Sequence, residues 1–125
     1  MRFVTDTHCL FWYLTNHPRL SLSHKQRFDH GAARSVVIPT IALAELLYLS
    51  HKVSLPLPFA KTLDLLRAEA RFEIAPLSLE IIQEASSLQK LEIHDLLIVA
   101  TARHLDLPLM TADQESIASG LVETL

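Results

Sequence analysis

Two acidic side chains stand at the ends of short apolar runs near the two ends of the chain. Asp6 follows MRFVT, and Asp113 follows LMTA at positions 109–112. Aspartate is common in turns because its side chain hydrogen-bonds the local backbone. Carboxylates at two strand ends are also part of what an oxygen-ligated metal site requires, since hard cations prefer oxygen ligands.

Two further acids lie in apolar surroundings. Glu45 is the one charged residue in TIALAELLYL (40–49), and Asp95 directly precedes LLIVATA (96–102). An unpaired buried carboxylate is so unfavourable that it normally protonates, pairs with a cation or binds a metal. Four acids at one place would repel one another and favour a bound Mg²⁺ or Mn²⁺. Such ions catalyse the hydrolysis of phosphodiester bonds.

Each acid also has a structural explanation. Asp6, Asp95 and Asp113 suit the N-caps of the helices that follow them, where a carboxylate accepts free backbone N–H groups. Glu45 suits a buried pair with an arginine, or a helix turned so that this side reaches solvent. Capping explains three of the acids and leaves the fourth without a reason, so the pattern favours a shared site.

The elements that must position these acids follow from apolar periodicity, which predicts short strands alternating with longer helices. Strands are predicted at 2–5, 35–39, 71–77 and 108–111, with a fifth at 121–125. Helices are predicted at 6–15, 23–31, 40–52, 59–70, after Ser78, at 95–105 and after Asp113. Strands separated by helices indicate a parallel sheet covered on both faces. Ligands of such sheets bind beyond the carboxyl ends of the strands.

Two of these helices are predicted in more detail. The helix at 23–31 has the spacing of a capping box in Ser23 and Gln26, and Gly31 suits its C-terminal cap. In the helix after Ser78, apolar residues recur at three-residue steps and predict one buried stripe, made of Leu79, Ile82, Ala85 and Leu88.

Length and composition predict a single domain spanning 1–125. The chain is 50% hydrophobic and 20% charged, which is typical of a compact globular protein. The one cysteine, Cys9, cannot form an internal disulfide, and no targeting or membrane-spanning segment is visible, so a cytoplasmic location is predicted. The net charge of −3 excludes a global basic field for nucleic-acid binding. Bound cations would supply a local positive field instead.

Four segments in order resemble the successive motifs of PIN-domain proteins, and in particular the VapC-like toxins of type II toxin–antitoxin pairs. They are DTHCLFW (6–12), the helix that carries Glu45, HDLLIVATA (94–102) and LMTAD (109–113). The resemblance implies a Rossmann-like α/β/α domain in three layers, with a central parallel sheet of about five strands. It also implies a homodimeric endoribonuclease that depends on Mg²⁺ or Mn²⁺, acts on RNA, and is inhibited by a small antitoxin whose tail covers the acids.

Site roles carry over by motif. The resemblance makes Asp6 and Asp95 direct metal ligands, while Glu45 binds metal through water or orients the attacking water. Asp113 becomes a ligand or a neighbour of the ligands. Thr111 matches the hydroxyl residue that hydrogen-bonds an acid or a metal-bound water.

Some residues also suit other classes of protein. His8 and His94 allow a mixed histidine and carboxylate site for zinc or iron, but no two histidines have the spacing that supports it. A haloacid-dehalogenase-like phosphatase needs a second aspartate at position 8, where a histidine stands, and a receiver domain needs an aspartate ending SVVIPT, which has none. A noncatalytic PIN-like module that only binds a partner remains the alternative.

Aromatic and basic residues allow two explanations each. Phe11, Trp12 and Tyr13 suit base stacking, although packing a helix on the sheet is favoured. Arg19, Lys25, Arg27 and Arg34 suit phosphate steering, although a solvated surface is favoured.

Overall fold

The computed structural model describes residues 1–125 as four strands and seven helices. In chain order the elements are β1 (Phe3–Thr5), α1 (Thr7–Leu14), α2 (Leu22–Asp29), β2 (Val36–Pro39), α3 (Thr40–Ser50), α4 (Phe59–Ala68), β3 (Phe72–Ala75), α5 (Leu79–Ser86), α6 (Ile93–Leu105), β4 (Leu109–Met110) and α7 (Gln114–Ser119). No helix combines the length and the hydropathy that a membrane span requires.

The strands form one parallel sheet in the order β3-β2-β1-β4. β1 pairs with β2 through Phe3 and Val36, and with β4 through Val4 and Leu109. The residues of β1 and β2 are all buried, as expected for a sheet with helices on its faces. The predicted α/β class and the parallel sheet are therefore confirmed.

The predicted fifth strand, 121–125, is reduced to a single bridge. Thr124 lies opposite Leu109, where the Leu109 N–H donates to the Glu123 carbonyl and the Leu125 N–H donates to the Leu109 carbonyl. β4 has only two residues, so it offers too short an edge for a longer ladder. The chain end thus adds one bridge to a four-stranded sheet.

The strand order places a crevice beside β1. The chain passes from β1 outward to β2 and β3, and then returns to the opposite side of β1 as β4. Ligands of open α/β sheets bind where the order reverses, outside the carboxyl ends of the strands. The residues directly after β1 and β4 therefore occupy the expected binding position, and these include Asp6, Thr111 and Asp113.

The start of α2 differs from the prediction. Its N-cap is Ser21, whose side chain accepts from the His24 N–H at 3.2 Å, so the capping box of Ser23 and Gln26 is wrong. Leu20 is buried directly before Ser21 and fixes where the chain enters the helix. Gly31 does not cap the helix either, because the C-cap is His30. A Cβ at Gly31 would lie 2.1 Å from Ser35 Oγ, so close approach explains this glycine.

The buried face of α5 also differs from the prediction. Ile81 and Ala85 are buried and pack against α6, whereas Leu79 and Ile82 are 67% and 47% exposed. Three-residue steps fall about 60° short of a full helical turn, so a stripe built on them drifts around the helix. Residues four apart, as Ile81 and Ala85 are, keep closer to one face.

Candidate active site

Asp6 is buried at the carboxyl end of β1 and begins α1. Its Oδ1 accepts from the Cys9 N–H at 2.8 Å, which makes it the N-cap of that helix. Its Oδ2 accepts from the Thr111 hydroxyl at 2.6 Å, which links the end of β1 to the end of β4. The capping explanation therefore applies to Asp6, but each oxygen keeps a second lone pair for another partner.

Thr111 joins two acids. Besides donating to Asp6, its Oγ1 accepts from the Asp113 N–H at 3.0 Å. Asp113 caps α7, since its Oδ2 accepts from the backbone N–H and the hydroxyl of Ser116, and its Oδ1 has no protein partner. Thr111 is itself buried, so its hydroxyl fixes both the orientation of Asp6 and the turn that carries Asp113.

Removing that hydroxyl is expected to destabilise the domain. In Thr111→Val the partly buried Asp113 N–H loses its acceptor and the buried Asp6 loses a donor, while the side-chain volume is nearly unchanged. A buried polar group without a partner costs about 1–3 kcal/mol, so urea unfolding should show a loss of that size. Thr111→Ser, which keeps the hydroxyl, should lose less. Equal losses in the two variants would show that the methyl group, not the hydroxyl, is what matters.

Glu45 reaches the same region from α3. Its Oε1 accepts from the Thr7 hydroxyl at 2.5 Å, and its Oε2 lies 3.8 Å from His94 Nδ1. Its side chain is 29% exposed, so it belongs neither to the core nor to the open surface. No arginine pairs with it, and the predicted alternative of a buried arginine pair is wrong.

α6 contributes Asp95, and it is not a helix cap. The N-cap is Glu92, whose side chain accepts from the N–H groups of His94 and Asp95, so Asp95 lies in the first turn. The helix begins two residues earlier than predicted, because Glu92 Oε2 accepts both capping N–H groups. Asp95 makes no side-chain hydrogen bond, so local helix capping gives no reason for its position.

The four predicted acids line one cleft of about 390 Å³. Asp6, Glu45, Asp95 and Asp113 come from four separate parts of the chain and share this cleft with Glu92. Sequence reasoning missed Glu92, because no pattern in LEIH (91–94) distinguishes it from a surface glutamate. Arg19 and Trp12 also line the cleft.

The electrostatics of Asp95 reflect this crowding. Desolvation by burial and then repulsion from Asp113, Glu92, Glu45 and Asp6 raise the pKa of Asp95 from its usual 3.8 to about 6. Asp95 thus titrates near neutral pH while the protein holds no cation. A bound cation would favour its charged form and reverse the shift.

The donor set suits a hard cation that keeps part of its water shell. No three of the acidic, histidine or cysteine side chains lie close enough to ligate one ion together. Mg²⁺ normally takes one or two carboxylates and retains several waters. Asp95 and the spare lone pairs of Asp6 would supply such carboxylates, and Glu45 and the free Oδ1 of Asp113 would reach the ion through water.

Sequence comparison decides the family. The profile of the PIN domain matches residues 3–118, which is nearly the whole chain. The chain belongs to the PIN-domain family. No curated protein matches it in sequence.

Solved structures agree on the fold of this PIN domain. VapBC2 from Rickettsia felis, bound to a DNA fragment from its promoter, aligns with a TM-score of 0.76 and 21% identity over 100% of this chain and 98% of that one. A toxin–antitoxin complex from Klebsiella pneumoniae aligns with a TM-score of 0.71 and 23% identity over 98% of this chain and 95% of that one. The sarcin–ricin loop cleaving toxin VapC20 from Mycobacterium tuberculosis aligns with a TM-score of 0.66 and 16% identity over 97% of both chains.

Cys9 and the aromatic residues around Trp12 are the other residues of this PIN domain for which the sequence allows a role in function. Cys9 is buried, and desolvation together with Asp6 raises its pKa, so it is no nucleophile at neutral pH. Trp12 and its neighbours pack as predicted, with Trp12 in the core and Tyr13 stacked on Phe28 at 4.3 Å between ring centroids.

The predicted basic cluster of this PIN domain is not one patch. Arg34 pairs with Glu73, Lys25 Nζ donates to Asn16 Oδ1, and Arg27 reaches Met1 Sδ. Arg19 alone of the four lines the acidic cleft. Three of the four side chains are thus committed to contacts elsewhere on the surface.

Proposed function

We propose that this PIN domain is a VapC-like toxin: an Mg²⁺- or Mn²⁺-dependent endoribonuclease that a small antitoxin neutralises in the cytoplasm. The proposal rests on one observation, which is that four acids line one cleft in the crevice beside β1, where the strand order reverses. These acids are Asp6, Glu45, Asp95 and Asp113. Membership of the PIN family and the likeness to several toxin–antitoxin complexes support it.

The proposed chemistry assigns a task to each side chain. A bound divalent ion would activate a water and neutralise charge on the phosphodiester. Asp6 and Asp95 would hold the cation, and the Thr111 hydroxyl fixes the orientation of Asp6. Glu45, oriented by the Thr7 hydroxyl, accepts a hydrogen bond from the attacking water. Asp113 also lines the cleft, and its negative charge adds to the charge that attracts the ion.

The proposal includes two protein partners. Beside the acidic cleft lies a more apolar one of about 510 Å³, which shares Glu45 and Glu92 with it and is walled by Tyr48 and Leu49. An antitoxin tail that covers the acids would have this apolar surface within reach, and co-purification with the product of a small adjacent reading frame tests it. Leu79 and Ile82 give α5 an exposed apolar face that a homodimer contact would cover.

Metal-dependent RNA cleavage is the expected result that tests the activity. The purified protein should cut single-stranded RNA in Mg²⁺ or Mn²⁺, and excess EDTA should stop the reaction because the acids without a cation would repel the phosphodiester and leave its charge unneutralised. Adding back Mn²⁺ should restore cleavage. If neither ion supports cutting across varied RNA substrates, the noncatalytic interaction module becomes the better account.

A further inference from the structure

One cation lines the acidic cleft. Arg19 is the only lysine or arginine among the cleft residues, and it is exposed, so a ligand can reach it. Its guanidinium carbon lies 5.1 Å from the centroid of the Trp12 ring, within the range of a cation–π contact. Trp12 is buried to 9% exposure, so the surface under the guanidinium is fixed.

The backbone around Arg19 is fixed as well. Its N–H donates to His17 Nδ1 at 3.1 Å, and the His17 ring stacks on the Trp12 ring at 5.9 Å between centroids. Leu20, the next residue, is buried in the core. Binding at Arg19 therefore needs little further ordering of the main chain, which lowers the entropy that a ligand contact must overcome.

The guanidinium has no acidic partner, although five acids share its cleft. None of the ion pairs of the domain includes Arg19, so no carboxylate oxygen lies within 4.0 Å of its nitrogens. Its side chain makes no hydrogen bond either. All five of its N–H donors are therefore available, in the planar arrangement that matches two oxygens of a phosphate.

An RNA backbone entering this cleft meets a specific electrostatic problem. A cation held by the acids would neutralise only the phosphate that is cut, while the neighbouring phosphates would still approach Glu92, Glu45 and Asp113, which line the same cleft. Repulsion between these charges is strong at short range in a partly desolvated cleft. A guanidinium held at the rim on Trp12 is placed to offset it.

We propose that Arg19 binds a backbone phosphate of the RNA adjacent to the one that is cleaved. The proposal rests on the proposed ribonuclease function and adds a positioning residue to it. Arg19 acts on binding and alignment, not on the reacting atoms. Its removal should therefore raise KM more than it lowers kcat.

The test measures RNA binding without cleavage. Fluorescence anisotropy of a labelled single-stranded RNA is followed in an Asp6→Asn background at several KCl concentrations. Adding Arg19→Ala should weaken binding about tenfold and reduce the slope of log K against log[salt] by about 0.7, the loss of one phosphate contact. Arg19→Lys should keep the slope but recover only part of the affinity, because lysine cannot bind in the planar bidentate manner.

Arg67→Ala is the matched control, because Arg67 is an exposed arginine of α4 outside the cleft. It removes the same charge and should change affinity less than twofold. In the active protein, Arg19→Ala should raise KM about tenfold, with kcat within about threefold.

Three outcomes would overturn the proposal. If Arg19→Ala matches Arg67→Ala in affinity and salt slope, Arg19 does not bind phosphate, whether or not RNA is cleaved. If Arg19→Ala lowers the Tm but leaves the slope of log K against log[salt] unchanged, Arg19 only packs over Trp12 and does not bind phosphate. Absence of both RNA binding and cleavage in the unsubstituted protein would remove the proposed function itself, and the Arg19 assignment with it.

Discussion

Asp6→Asn is expected to reduce RNA cleavage by about three orders of magnitude or more, because it removes one of the two carboxylate charges proposed to hold the cation. The fold should survive. Asparagine still offers an oxygen to the Cys9 N–H, and the Thr111 hydroxyl, which both donates and accepts, tolerates an amide in place of the second carboxylate oxygen. We expect the free energy of unfolding to change by less than about 1 kcal/mol, since repulsion among the acids is relieved.

The control for this variant is Asp64→Asn. Asp64 is exposed on α4 and makes no hydrogen bond or ion pair, so the same chemical change there should leave cleavage intact. Mn²⁺ binding is followed by quenching of Trp12, the only tryptophan of the chain, which lines the cleft. Cleavage by Asp6→Asn at the rate of the unsubstituted protein would mean a contaminating nuclease or a different site. A large loss of stability would instead identify Asp6 as chiefly a helix cap.

Asp95→Asn is expected to raise the free energy of unfolding of the metal-free protein by an amount that depends on pH. The pKa of Asp95 is raised from 3.8 to about 6 in the folded protein, so the folded state holds its proton more tightly than the unfolded state does. Stability without metal should therefore fall as pH rises between these values, and the loss should be complete above about pH 6. The asparagine variant lacks this titration and should not show the loss.

The expected difference is measurable by denaturant unfolding in EDTA. Above pH 6 the Asp95→Asn protein should be more stable than the unsubstituted one by about 1–2 kcal/mol, allowing for partial solvent screening, and the two should converge near pH 4. Saturating Mn²⁺ should make the unsubstituted protein the more stable of the two. A ligand at a concentration of about 100 times its Kd raises the free energy of unfolding of the protein that binds it by about 2.7 kcal/mol. If the difference in unfolding free energy between the two proteins is independent of pH and of Mn²⁺, Asp95 neither titrates in the cleft nor binds the ion.

The parts of the site that follow strands were predictable from sequence. Asp6 and Asp113 come after runs that read as strands, and parallel strands end at one edge, so their proximity follows from the topology. Thr111 is placed by the same strand as Asp113. Glu45 stood out because its helix has no other charge. These four needed only local pattern and the rules of parallel sheets.

The missing parts depend on contacts between distant segments. Glu92 looks like a surface glutamate until the start of α6 is known, because glutamate is not among the favoured N-cap residues. The contact of Thr7 with Glu45 requires α1 to pack on α3, which no local pattern specifies. Arg19 lies seven residues beyond Trp12, past Pro18, and only the turn of the chain brings the two side chains together.

The errors in the helices have a similar origin. A capping box predicts that α2 starts at Ser23, but Ser21 lies two residues earlier, directly after the buried Leu20, and its side chain caps the helix. Apolar spacing alone predicts the stripe on α5, whereas packing on α6 decides which face is buried. Propensity and periodicity located each helix, and tertiary contacts fixed its first residue and its orientation.

The most direct test of the account is the location of Mn²⁺ in a crystal of the full chain, found from its anomalous scattering. We predict one strong peak in the cleft, about 2.1 Å from carboxylate oxygens of Asp6 and Asp95, with Glu45 and Asp113 facing it directly or through water. No peak at millimolar Mn²⁺, or a peak bound only to residues elsewhere on the surface, would contradict the claim that these acids form a metal site.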